Sequence, residues 1–175
     1  MTTVYLGLGS NQDAEANIRA GIRALYRQFD NVAISQVYRS EAVGFEGKDF
    51  LNCAARVDTD RSPAELKQWL TELEDAHGRN RDQPKFSDRT LDIDILLHGD
   101  KTGDFDGLKL PREEILKYAH VLKPLADLAP DLTHPITGKT FAEHWENFEG
   151  DRSLEPADMG STRPTTPNWW GSGGE

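Results

Sequence analysis

Three features of this sequence predict an α+β fold. Apolar β-rich runs and helix-period runs follow one another in the order β-α-β-β-α-β over residues 3–97. The first and last of these strands, residues 3–9 (TVYLGLG) and 91–97 (LDIDILL), are almost continuously apolar, which places them at the centre of the sheet. From Leu110 onward the pattern becomes helical. Together these give a ferredoxin-like βαββαβ core, an antiparallel sheet with helices on its faces, and extra C-terminal helices.

Each element has its own signal. Gly9-Ser10-Asn11 ends the first strand. Ile18, Ile22, Leu25 and Phe29 then recur at helical spacing, with Asn11 or Asp13 as the N-cap. Residues 32–40 (VAISQVYRS) read as the second strand and residues 50–59 (FLNCAARVDT) as the third. The glycine-bearing connection between them, 41–48, is suited to folding over a ligand. Ser62-Pro63-Ala64-Glu65 starts the second helix with Ser as cap, Pro at its first position and Glu at its third. Leu66, Trp69, Leu70 and Leu73 form its stripe, and Gly78 ends it. The fourth strand stops at Gly99-Asp100; helices are expected over 111–117 and 121–128, and a short amphipathic segment over 141–148. After Gly150 the chain turns to Pro, Gly, Ser and Thr around Trp169-Trp170. The expectation is one domain over 1–149 and a disordered tail over 150–175.

Composition narrows the function classes. At 175 residues the chain is long enough for a core without staples, and its single cysteine, Cys53, excludes an internal disulfide and a cysteine-built zinc site. Cys53 reads as a small core residue. Neither a signal peptide nor an apolar stretch of membrane length is visible, so a cytoplasmic protein without membrane contact is expected. A net charge of −10 argues against nucleic acid as a partner. Arginines gathered between 79 and 89 in so acidic a chain point to a small anion.

The chemistry concentrates in residues 78–94, GRNRDQPKFSDRTLDID. Asp92 and Asp94 alternate with Leu91, Ile93 and Ile95, so a strand sends both carboxylates to one face. Their Cα atoms would stand roughly 6.5 Å apart. From there the side chains could hold two metal ions about 4 Å apart, as two-metal phosphoryl transfer requires. Hard oxygen ligands suit Mg²⁺, and Arg79, Arg81 and Arg89 would supply fixed charge for a polyphosphate. The plainer alternative is a solvated strand face with surface counter-charges. The apolar surroundings favour a central strand whose charges need partners.

The chain resembles the 6-hydroxymethyl-7,8-dihydropterin pyrophosphokinase family over residues 3–136. Four stretches carry the resemblance: YLGLGSN at 5–11, VYRSEAVGFEGKDFLNCA at 37–54, LEDAHGRNR at 73–81 and DRTLDIDILLHGD at 88–100. It implies pyrophosphoryl transfer from ATP to a pterin alcohol, with AMP released, in folate biosynthesis, by an expected monomer. By the same resemblance Asp92 and Asp94 hold two Mg²⁺ ions, and Arg79 and Arg89 are catalytic phosphate-binding residues. Glu74, Arg81, Ile95 and Arg112 fall on the nucleotide side, with Arg81 and Phe86 on a closing loop. Ser40, Val43, Gly44, Phe50, Asn52, Asp92 and His120 fall on the pterin side.

The chain departs from the family pattern in LPREEILKYAHVLKPL, residues 110–125. Arg112 and Glu113 stand where the family has His and an aromatic residue, and His120 where a phenylalanine stacks on the pterin. Residues 40–44 also replace a proline-rich pterin loop. Two other readings follow: a paralogue acting on a different pterin-like alcohol, and a non-catalytic nucleotide- or pterin-binding regulatory module.

Overall fold

Along β1 (Thr2–Ser10) Val4, Leu6 and Leu8 are buried while the residues between them are not, the alternation of a strand with one closed face. A computed structural model of the protein describes residues 1–40, 49–77, 90–157 and 159. After β1 come α1 (Ala14–Gln28), β2 (Asp30–Ile34), β3 (Tyr38–Ser40), β4 (Phe50–Thr59), α2 (Pro63–Ala76) and β5 (Asp92–His98). A hairpin, β6 (Gly103–Phe105) and β7 (Leu108–Leu110), leads to α3 (Glu114–Lys117), α4 (Ala119–Leu128), α5 (Phe141–Glu146) and β8 (Glu155–Pro156).

The main sheet is antiparallel in the order β5-β1-β4-β3-β8, with β2 also on β4. The strands at the centre are therefore β1 and β4, and β5 lies at an end, which corrects the expectation drawn from its apolar run. That run reports cover on both faces. Ile93 and Ile95 pack with Leu6, Leu8 and the stripes of α1 and α2. Leu96 and Leu97 pack with Leu122, Leu125 and Phe141 of α4 and α5. A bulge allows this: Tyr5 pairs with Leu97 and Leu6 with Ile95, leaving Leu96 as the extra residue. The outer edge of β5 is also covered, by a Glu74 carboxylate on Ile93 N–H and by Arg112 N–H on the Leu96 carbonyl.

The run expected as one second strand is two. Ile34 pairs with Ala55 and Tyr38 with Asn52, so Ser35–Val37 holds one residue more than β4 can match. Ser35 Oγ accepts the Ala54 N–H at 2.8 Å across the gap. The α2 start is as expected, with Ser62 and Glu65 forming a reciprocal capping box. Cys53 is 2% exposed, a core residue. The hairpin was not foreseen, although Asp106-Gly107, with φ of 56° and 88°, is the dipeptide such a turn requires. The stretch after Gly150 also departs from expectation. β8 pairs with β3, and Ala157 and Met159 are buried in the core beneath α1, because their apolar side chains cover an otherwise open edge. Trp169 and Trp170 lie outside the described residues. Among the described residues no helix is long and apolar enough to cross a membrane.

Candidate active site

Register fixes which side chains meet. Asp92 pairs with Gly9 and Asp94 with Gly7 between β5 and β1. Gly9 in turn pairs with Asn52, which pairs with Tyr38, while Phe50 pairs with Ser40. Partners in register share a face. One side of the sheet therefore carries, from its β5 end, the two carboxylates, a glycine floor, then Asn52, Phe50, Tyr38 and Ser40. The glycines are needed there: a Cβ on Gly9 would come within 3.0 Å of Asn52 Oδ1. α4 packs on the same side, since its partner Leu96 lies over Gly7.

Burial and the neighbouring Asp92 push the Asp94 carboxyl up to about 7, with Arg112 and Lys67 acting in the opposite sense. Arg112 Nη2 stands 3.4 Å from Asp94 Oδ1, and its Nε is 3.3 Å from Glu114 Oε1. A hard cation would relieve the repulsion between the two aspartates, so the donor set fits Mg²⁺. Among the described residues there is no cluster of three or more His, Cys, Asp or Glu able to hold a metal. One or two carboxylates completed by substrate phosphates and water is the usual Mg²⁺ arrangement.

Of the sequence-predicted residues, Asp92, Asp94 and Arg112 come together at one end of this face, and Ser40, Phe50 and Asn52 at the other. Asn52 Nδ2 donates to Ser40 Oγ at 2.8 Å, which fixes the amide's orientation. The Ile95 side chain, 1% exposed, points through the sheet into the core with α1 and α2, so its backbone is what it offers a nucleotide. Glu74 is 2% exposed and its Oε2 accepts the Ile93 N–H at 2.7 Å, tying α2 to β5. His120 lies in the first turn of α4, half-buried and stacked on Tyr118 with centroids 5.2 Å apart. Burial holds its imidazole below the ordinary range, so it presents a neutral ring. Val43, Gly44, Arg79, Arg81, Phe86 and Arg89 lie outside the described residues. Two residues were missed. Tyr38, two positions before Ser40 and so on the same face, donates its hydroxyl to Asp127 of α4, which Lys123 also holds at 2.8 Å. Lys67 of α2 adds a cation toward Asp94 that no local motif announces.

A carboxylate pair beside a guanidinium, on a sheet face with a bare floor, is the equipment of a phosphotransferase that handles its polyphosphate through a hard cation. The model of the 7,8-dihydro-6-hydroxymethylpterin-pyrophosphokinase (HPPK) family matches residues 5–130. The 2-amino-4-hydroxy-6-hydroxymethyldihydropteridine pyrophosphokinase of Pseudomonas aeruginosa is 40% identical over 136 residues, 75% of this chain and 83% of that one. The Aquifex aeolicus protein of the same name is 36% identical over 158 residues, 89% and 96% of the two chains. Among solved structures, an HPPK-DHPS of Plasmodium falciparum with pteroate superposes at a TM-score of 0.68 and 11% identity. That match covers 84% of this chain but only 44% of the longer one, and it speaks for the fold. The chain belongs to the HPPK family. It is an enzyme, a pyrophosphokinase of folate biosynthesis, and the regulatory-module reading is set aside.

Proposed function

We propose that transfer from ATP to the hydroxymethyl group of 6-hydroxymethyl-7,8-dihydropterin takes place over the Gly7–Gly9 floor, between the two ends of the face. The observation that carries this reading is the shared register of Asp92, Asp94, Gly9 and Asn52. Asp92 and Asp94 would hold two Mg²⁺ ions, which when bound neutralise charge on the phosphate oxygens. Arg112 faces the nucleotide, and Arg79, Arg81 and Arg89 add fixed charge around it. Asn52, oriented by Ser40, reads the edge of the pterin, with Phe50 and the neutral ring of His120 beside its faces. The acceptor oxygen attacks the β-phosphorus in line, the bond from that phosphorus to the oxygen of the α-phosphate breaks, and AMP leaves. The hydroxyl proton departs late, to a carboxylate of the pair, so no separate strong base is needed. The protein is expected to act as a monomer without a nucleic-acid or membrane partner.

The test is AMP release from ATP and Mg²⁺ with and without 6-hydroxymethyl-7,8-dihydropterin. AMP formed only with the pterin is expected. Nucleotide binding without pterin-dependent AMP would refute this acceptor and direct attention to other pterin alcohols.

A further inference from the structure

Residues 152–157 and Met159 lie beyond the matched stretch 5–130, yet they touch both layers of the protein. The Arg152 guanidinium donates to the carbonyls of Trp145 at 2.8 Å, Glu146 at 3.0 Å and Phe148 at 2.7 Å, and stacks 4.7 Å over the Trp145 ring. Trp145 and Phe148 pack on the α4 side of the sheet. Five residues later Ala157, and then Met159, are buried on the opposite side with Leu6 and Leu8. Between these anchors the chain rounds the outer edge of β3. Glu155 pairs with Arg39 and Pro156 with Tyr38. Ala157 N–H donates to the Val37 carbonyl at 2.8 Å, Gln36 Nε2 donates to the Ala157 carbonyl at 3.0 Å, and Arg19 donates to the Met159 carbonyl.

β3 is three residues long and follows a bulge, so its ladder with β4 alone is short. It carries Ser40, the acceptor of the Asn52 amide. We propose that residues 152–157 are a positioning strap: by closing the second edge of β3 they fix Ser40 and Asn52, and so set affinity for the pterin alcohol without altering the nucleotide side. The inference rests on the acceptor role given above to Ser40 and Asn52. The nucleotide side is spared because β5, α2 and Arg112 make no part of this edge.

The test compares the full chain with Ala157→Pro, which removes the N–H donated to Val37, with Gln36→Ala, and with a chain ended after Ser153. The point variants preserve the test if the shortened chain does not fold. Steady-state KM for each substrate and kcat are measured, with Ser40→Ala and Asn52→Ala as references. KM for the pterin alcohol should rise about tenfold, the scale of one lost backbone hydrogen bond, with KM for ATP and kcat within about twofold. A parallel rise in both KM values would overturn the proposal, as would an unchanged pterin KM while Ser40→Ala and Asn52→Ala raise it. If those two references leave the pterin KM unchanged, the acceptor reading itself falls, and the strap with it.

Discussion

Glu74 offers the sharpest separation of a structural role from a charge role. It is 2% exposed on the last turn of α2, and its Oε2 accepts the Ile93 N–H on the outer edge of β5. Glu74→Ala strands that donor beneath the helix, at about 1–3 kcal/mol, and adds lost packing. Removing the charge also relieves Asp94, which Glu74 pushes toward protonation, and offsets a small part of the loss. A net loss of about 2–3 kcal/mol lowers the melting temperature by about 4–10 °C in a domain of this size. Glu74→Gln keeps an acceptor oxygen and loses only the charge, so it should stay within about 1 kcal/mol of the parent. Urea and thermal denaturation at pH 8 without Mg²⁺ measure both. The same samples should show kcat falling with Ala and largely kept with Gln, because Asp92 and Asp94 flank the residue being held. Equal destabilisation by Ala and Gln would refute the hydrogen-bond account and leave Glu74 as a charge alone.

Four further outcomes are expected. Asp94→Ala should reduce transfer by at least about a thousandfold while the protein stays folded, since a repelled carboxylate is removed; substantial turnover would end the two-metal assignment. His120→Phe should preserve or tighten binding of the pterin alcohol by direct titration, and severe weakening would mean that the pocket is shaped for a different heterocycle. His134 is held below the ordinary imidazole range by burial and by His144, and its Nδ1 accepts the N–H groups of Ile136 and Thr137 at 3.1 and 3.3 Å. A base with a depressed folded pKa gives its full stabilisation above the unfolded value, about 6.5, and loses it as pH falls toward the folded value. Melting temperature should therefore drop below about pH 6.5, and His134→Asn should flatten the slope; an identical slope in the variant would count against it. Arg152→Ala removes a cation from the carbonyl end of α5 and from the Trp145 ring, and should cost about 1–2 kcal/mol by urea denaturation, with no change marking the contacts as incidental.

The core was legible wherever local chemistry decides. The Ser62–Glu65 capping box and the stripe on α1 each arise from neighbours in sequence, and each stands in the structure as read. The Asp92 and Asp94 pair was equally visible, because parity along a strand is a local property. Strand order was not. LDIDILL is apolar because helices lie over both faces of β5, and sequence does not distinguish that cover from a central place in the sheet. The parity that sends Asp94 to one face sends the Ile95 side chain to the other, as the structure shows, so the nucleotide role the resemblance gives Ile95 falls to its backbone. Tyr38 could have been found by the same parity, two residues from Ser40. Lys67 and the return of residues 155–157 to β3 depend on contacts made only after folding, across long separations in the chain. The low apolar content of the tail concealed the two side chains, Ala157 and Met159, that bring it back.

The bulge at Leu96 connects the fold to the chemistry. Up to Asp94, β5 alternates strictly, and its site-facing positions are carboxylates over a bare glycine floor. A regular strand would continue by sending Leu96 to the site face and Leu97 to the α1 side. With one residue inserted, both leucines join the α4 core, Leu96 lying over Gly7 and closing the floor directly beyond Asp94. Within three residues the same face passes from two carboxylates to an apolar cover. This boundary accounts for the perturbed Asp94, whose carboxyl is raised by burial beside that cover; on the proposed reading the same cover would keep water from the phosphates. Deleting Leu96 would restore the alternation with Leu97 in its place opposite Tyr5, leaving one leucine where two now join the α4 core and thinning that wall. On the proposed reading, ion binding and exclusion of water would thus be set together by one extra residue, with neither carboxylate free to move along β5 without losing one of them.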